Sequence, residues 1–285
     1  MLRSKLFWVL ATLALAGCGG EDGDSDGCEN RLLCDAPLVI AHRGGGLLRP
    51  EETLLAFENA LAVGAQVLEC DVHSTSDGEL VLMHDDTVDR TTDGTGKIHD
   101  FSLAELRKLD AGYHFSPDGG ATHPYRGAGV QVPTLREALE SARGRWWSIE
   151  IKQTTPNIVD DVIRVLDETG ATDHVVVVSF ADDVVHEVRE KRPDILTGMA
   201  MAEMLELSMV SADTEADYHP PTRLVQPPAA MVKTEVMALA KRKRLRIHAW
   251  TVNDEAEMTR LLALRVHGIM TDDPELLGSV IAARR

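Results

Sequence analysis

The chain has 285 residues, 44% of them hydrophobic, with 46 Asp and Glu against 29 Lys and Arg. That length and apolar content support a full hydrophobic core and exclude a disordered or collagen-like polymer. A formal net charge of −17 argues against a sequence-independent nucleic-acid binder and against non-specific adhesion to anionic lipid, because both need an excess of basic side chains.

Residues 1–17 read as a targeting segment. Arg3 and Lys5 make a basic start, Leu6 to Ala16 is apolar apart from Thr12, and Leu15-Ala16-Gly17-Cys18 sets small residues before a cysteine. The apolar run is too short to span a bilayer. The tetrapeptide resembles a bacterial lipobox, which implies cleavage before Cys18, lipidation of its sulfur and an exported, membrane-anchored lipoprotein. In a Gram-negative host this means the periplasmic face or the outer membrane. Residues 18–36 follow as a flexible linker, acidic, Gly-rich and too poor in apolar side chains to pack. Cys28 and Cys34 lie in it at a spacing that permits a small disulfide loop, and no Cys-x-x-Cys pair suggests zinc.

From residue 37 to 285, short Val- and Ile-rich runs alternate with amphipathic segments, the pattern of a parallel sheet with crossover helices. Strands are expected at 38–42, 66–72, 79–84, 146–152, 174–180, 195–200, 222–226, 246–251 and 267–271. The link between the second and third is too short for a parallel crossover and contains Asp77-Gly78, a hairpin signal, so 79–84 should return antiparallel. Eight parallel strands remain, which predicts one α/β domain, a (β/α)₈ barrel. Helices are expected at 53–63, near 102–109, and at 133–143, 158–169, 182–191, 201–210, 233–244 and 254–264. The stretch 85–132 is a long insertion between the second and third barrel strands, at the end where barrel enzymes bind substrate.

Chemistry-bearing side chains gather at the strand ends. Glu69 and Asp71 are two apart and so share one strand face, with Cys70 on the other. Glu150 and Lys152 share a face at the end of the 146–152 run. Three carboxylates without a thiolate suit a hard cation, Ca²⁺ or Mg²⁺, that offsets their mutual repulsion. His42, before Arg43 and three glycines, ends the first strand; the glycines would let backbone approach a ligand. His84 ends the hairpin return near the level of Asp71, and two imidazoles there suit general acid and general base.

The ordered set Ile40-Ala41-His42-Arg43-Gly44, Pro50-Glu51-Glu52-Thr53, Glu69-Cys70-Asp71-Val72, Leu82-Met83-His84-Asp85, Val132-Pro133-Thr134-Leu135, Ile149-Glu150-Ile151-Lys152, Trp250-Thr251-Val252-Asn253 and Thr271-Asp272-Asp273-Pro274 resembles the glycerophosphodiester phosphodiesterase family from Val39 to about Leu277. The resemblance implies a metal-dependent hydrolase that takes glycerophosphodiesters to sn-glycerol 3-phosphate and an alcohol. It implies catalytic roles for His42 and His84, one divalent cation on Glu69, Asp71 and Glu150, phosphate contacts from Arg43 and Lys152, and a pocket wall at Trp250. A small-molecule substrate is thus expected, and no nucleic acid.

Two departures from the family pattern stand out: Glu52 replaces an asparagine, and Cys70, expected to be a buried inert thiol, replaces a leucine. The run Lys241-Arg242-Lys243-Arg244 closes a helix, His248 should fill a barrel layer, His73 should approach the pocket rim, and Trp146-Trp147 should anchor a strand. Other readings keep the site for a lysophospholipid or sphingomyelin, aided by an apolar lip at 113–130, or make the chain a non-catalytic surface-binding lipoprotein.

Overall fold

The computed structural model describes residues 30–284. The expected targeting segment, Cys18, Cys28 and the linker up to residue 29 lie outside the described residues; residues 30–36, expected as the end of a flexible linker, instead fold against the barrel, because Leu32 is an apolar side chain that buries completely and Asp35 pairs with Arg246. Cys34 is disulfide-bonded, whereas Cys70 is a buried free thiol whose burial pushes its pKa well up.

Among the described residues the strands are β1 (Leu38–Ala41), β2 (Val67–Ser74), β3 (Leu80–Leu82), β4 (Trp146–Ile151), β5 (Val175–Val178), β6 (Leu196–Thr197), β7 (Leu224–Val225), β8 (Arg246–Ala249) and β9 (Gly268–Thr271). Eight run parallel in the order β6-β5-β4-β2-β1-β9-β8-β7, and a bridge between Gly198 and Leu224 brings the two ends together into a nearly closed barrel. β3 folds back antiparallel on β2, with Val72 opposite Leu82, as the short Asp77-Gly78 connection requires.

Around the strands lie α1 (Leu54–Ala62), α2 (Leu103–Leu106), α3 (Leu135–Ser141), α4 (Val159–Thr169), α5 (Asp182–Lys191), α6 (Met201–Met209), α7 (Thr234–Arg242), α8 (Glu255–Ala263) and α9 (Pro274–Ala282). Their starts follow local chemistry. The Thr53 hydroxyl accepts the Ala56 N–H, and Thr134 and Glu137 form a reciprocal capping box. The terminal helix α9 is absent from the sequence-based expectation, although Asp273 caps it and Pro274 opens it.

Period-two alternation divides the core. Outward residues such as Leu68, Cys70, Trp147, Ile149 and Val177 pack against the helices, and Phe57 meets Trp147 edge-on at 5.0 Å. Inward residues change character along the barrel axis. At the N-terminal end Leu38, Ile40, Val67, Val176 and Leu224 form an apolar layer that the Leu32 side chain plugs. Toward the C-terminal end the same strands present Glu69 and Asp71 on β2 and Glu150 on β4, with His42 just past β1. The plug is held by Arg246, which donates to the Leu33 carbonyl at 2.6 Å and pairs with Asp35 at 2.9 Å. The insertion has a small core of its own around Val88, Ile98 and Leu106.

Candidate active site

The β1 strand delivers His42 to the C-terminal rim, where its Nδ1 lies 2.6 Å from Asp272 Oδ1, just past β9. Asn253 fixes that carboxylate by donating to its Oδ2 at 2.6 Å. Burial works against the imidazolium, but the bond to Asp272 and the charge of Glu69 outweigh it, so the His42 pKa lies above its ordinary value. Arg43 follows at φ 52° and Gly44 at φ 79°. A Cβ on Gly44 would stand 2.7 Å from that of Ala56. This glycine therefore admits close packing on α1.

The Arg43 N–H donates to Glu69 Oε2 at 2.8 Å, while its guanidinium reaches Asp71 at 3.4 Å and Glu51 at 3.1 Å. Parallel register sets Asp71 beside Glu150. Lys152 Nζ lies between them, 3.1 Å from Asp71 and 2.9 Å from Glu150. Burial, then the charge of Asp71, raises the Glu69 pKa to about 8 and the Glu150 pKa to about 7. Oxygens of Glu69 and Asp71 converge with one from Glu52, all within 4.8 Å of one another, whereas Glu150, the third ligand expected from the sequence, lies outside that set and pairs with Lys152. A buried, oxygen-only donor set in which Glu52 Oε2 has no hydrogen-bond partner fits a divalent cation of the Ca²⁺ or Mg²⁺ kind.

His84 arrives from the hairpin side, where the Met83 N–H donates to the Asp71 carbonyl at 3.0 Å and so sets the expected level. Its Nδ1 lies 2.7 Å from Asp85, whose carboxylate is in turn gripped by Arg90 at 2.7 Å. Arg90 also forks onto Glu51, the partner of Arg43. Partial burial, with Arg43 and Lys152 nearby, leaves the His84 pKa below its ordinary value despite Asp85. His73 is buried near the rim and supports this turn through a 3.4 Å contact from Nε2 to the His84 carbonyl.

A cleft of about 140 Å³ brings together His42, Arg43, Glu69, His84, Glu150, Lys152 and Trp250. Asp71 lies behind it, bound to Arg43 and Lys152. Phe180, Met199, Met201, Met204 and Met270 line the same cleft and give it an apolar part. Phe180 is 54% exposed, meets Trp250 edge-on at 5.8 Å and lies 5.6 Å from Lys152 Nζ. The apolar lip expected at 113–130 lies elsewhere: Phe115 packs on Tyr125 and Arg126 covers Tyr113, so that segment folds on itself.

Sequence reasoning assigned no role to Asp272, Asn253, Asp85, Arg90 or Glu51. Asp85 adjoins His84 in the chain, which was a usable signal; Asp272 is 230 positions from His42, and nothing local reports that pairing.

Residues 42–276 match the model of the glycerophosphoryl diester phosphodiesterase family. The glycerophosphodiester phosphodiesterase of Caldanaerobacter subterraneus is 34% identical over 251 residues, covering 86% of this chain and 97% of its own. That of Bacillus subtilis is 32% identical over 263 residues and covers 88% of each chain. Among solved structures, an Oleispira antarctica phosphodiesterase in complex with the product sn-glycerol-3-phosphate matches with a TM-score of 0.70 at 27% identity, over 87% of this chain and 97% of that one.

Proposed function

This chain belongs to the glycerophosphoryl diester phosphodiesterase family, and from that premise we propose that it cleaves glycerophosphodiesters to sn-glycerol 3-phosphate and an alcohol by metal-assisted acid–base catalysis. The observation that carries the reading is the joining of two carboxylate-bound histidines and a buried carboxylate cluster in one cleft.

Glu69, Asp71 and Glu150 would hold one divalent cation, Ca²⁺ or Mg²⁺, which when bound supplies Lewis-acid polarisation of a phosphate oxygen. Arg43 and Lys152 are set to take the other phosphate oxygens, because carboxylates already fix both side chains. The two histidines differ in proton affinity. His42, raised by Asp272, is the group that holds a proton to give to the leaving alkoxide; His84, lowered by burial, is the neutral group that takes one from water or from the substrate's own glycerol hydroxyl. Trp250 and Phe180 wall the part of the substrate away from the phosphate.

The test is release of glycerol 3-phosphate from glycerophosphocholine, with chelator and with Ca²⁺ or Mg²⁺ restored. Activity that survives full chelation overturns the metal role. The proton assignment is tested with a p-nitrophenyl ester: a leaving group that needs no protonation should restore His42→Ala far more than His84→Ala, and the reverse pattern would exchange the roles. Phe180 and the methionine wall favour one second reading, a lysophospholipid at the same site, and choline release from lysophosphatidylcholine in the same assay sets the two apart. Turnover of any phosphodiester eliminates a pure binding protein.

We also propose residues 1–17 as a lipoprotein signal, Cys18 as the lipidated residue, 18–29 as a tether and the remainder as the catalytic domain, exported and membrane-anchored; residues 30–36 join that domain because Leu32 and Asp35 are held against the barrel. Support comes from the basic start at Arg3 and Lys5, the apolar run from Leu6 to Ala16 and the Leu15-Ala16-Gly17-Cys18 tetrapeptide. Palmitate labelling that persists in Cys18→Ser would refute the anchor.

A further inference from the structure

We infer that Glu52 is an additional ligand for the cation and biases the site toward Ca²⁺. The inference rests on the metal reading above but concerns a residue outside it, at the position where the family pattern has asparagine.

Glu52 sits in the loop before α1, its N–H bonded to the Arg43 carbonyl at 2.9 Å and its backbone at φ 58°, a region costly for a residue with a side chain. The loop carries its side chain inward, where it is 4% exposed. Oε1 accepts the Asp71 N–H at 2.9 Å, which anchors the carboxyl beside the Glu69 and Asp71 carboxylates. Oε2 is buried with no hydrogen-bond partner. A buried carboxyl oxygen without a donor is expensive to keep, and burial against two further carboxylates makes it more so. A coordinated cation removes both costs.

Charge points the same way. Within this group the ion pairs come from Arg43 and Lys152, which reach Asp71 and Glu150. Four carboxylates, Glu52, Glu69, Asp71 and Glu150, thus face two basic side chains, and a divalent cation brings the group to neutrality. Oxygen count then decides which ion benefits. Ca²⁺ accepts six to eight oxygens at flexible geometry, whereas Mg²⁺ demands a tight octahedron and retains several waters, so a fourth carboxylate favours Ca²⁺.

Calorimetric titration of Ca²⁺ and of Mg²⁺ into wild type, Glu52→Gln, Glu52→Asn and Glu69→Gln tests this, alongside melting temperatures in chelator and in Ca²⁺. Both Glu52 variants should bind Ca²⁺ about tenfold more weakly or worse, with the Ca²⁺ over Mg²⁺ preference narrowed and the gain in melting temperature on adding Ca²⁺ reduced. If Glu52→Gln fails to fold, Glu52→Asn carries the test, since it restores the family residue. Ca²⁺ affinity within twofold of wild type in the folded variants overturns the role of Glu52 alone. Failure of wild type to bind either ion overturns the metal reading itself, and Glu69→Gln separates the two by losing affinity wherever that reading holds.

Discussion

The two ends of the barrel treat the same backbone strain differently. Among the described residues each carries two non-glycine residues at positive φ: Arg43 at 52° and Glu52 at 58° on the catalytic end, Arg244 at 56° and Arg265 at 63° on the opposite end. At the catalytic end the strained residues own side chains that reach Asp71 or its backbone N–H. On the opposite end Arg244 and Arg265 lie in the turns that lead from α7 into β8 and from α8 into β9, where glycine would meet the same backbone demand. Buried titratable groups divide likewise. Burial drives the pKa of His248 down to about 3, so it is a neutral filler, its ring packed where a Cβ on Gly268 would come within 2.8 Å. At the catalytic end carboxylates are massed instead, with Arg43 and Lys152 among them. One end is built for stability and the other keeps strain and charge because its chemistry requires them.

That division is open to attack from either side, and the largest effects belong to the catalytic end. His42→Ala and His84→Ala should each lower kcat by about 10²-fold or more with little change in melting temperature; near-wild-type turnover in either removes it from catalysis. Asp272→Asn should cost less, because Asp272 acts through His42, and should move the His42-dependent limb of the pH–rate profile to lower pH; an unmoved profile would leave it a merely structural partner.

At the other end Leu32→Ala should destabilise the fold by about 2–5 kcal/mol in denaturant titration while kcat of the folded enzyme stays unchanged. A drop in kcat would couple the plug to the site and break the comparison. The metal-free protein should also lose stability as pH rises. Glu69 and Glu150, held at about 8 and 7 by burial and Asp71, keep protons that the unfolded chain has already released, so melting temperature in chelator falls from the ordinary carboxylate range toward pH 8. Saturating Ca²⁺ should abolish that slope, and a flat profile without metal would contradict the cluster. The smallest effect is expected from Arg244→Gly and Arg265→Gly, each neutral or stabilising by about 0.5–1 kcal/mol with full activity. Arg43→Gly, chemically the same change, should abolish turnover.

The basic run at 241–244 belongs to the stable end as well. Arg242 pairs with Glu215 at 2.6 Å, and Lys243 donates to the carbonyls of Glu215 and Tyr218, so half of it ties the end of α7 to the segment before β7.

The strand count, the hairpin return, the helix caps and the shared face of Glu69 and Asp71 were all legible in the sequence, because each follows from period-two alternation, connection length or capping chemistry within a few residues. Helix α9 is legible too, through the cap at Asp273 and the proline that opens it at Pro274. Only the tertiary structure decided that Asp272 holds His42, that Glu52 joins Glu69 and Asp71, that Leu32 plugs the barrel, and that the apolar wall comes from Phe180 and the methionines rather than from the insertion. Those are contacts between segments far apart in the chain, and periodicity states which face a side chain occupies without stating which distant side chain meets it there.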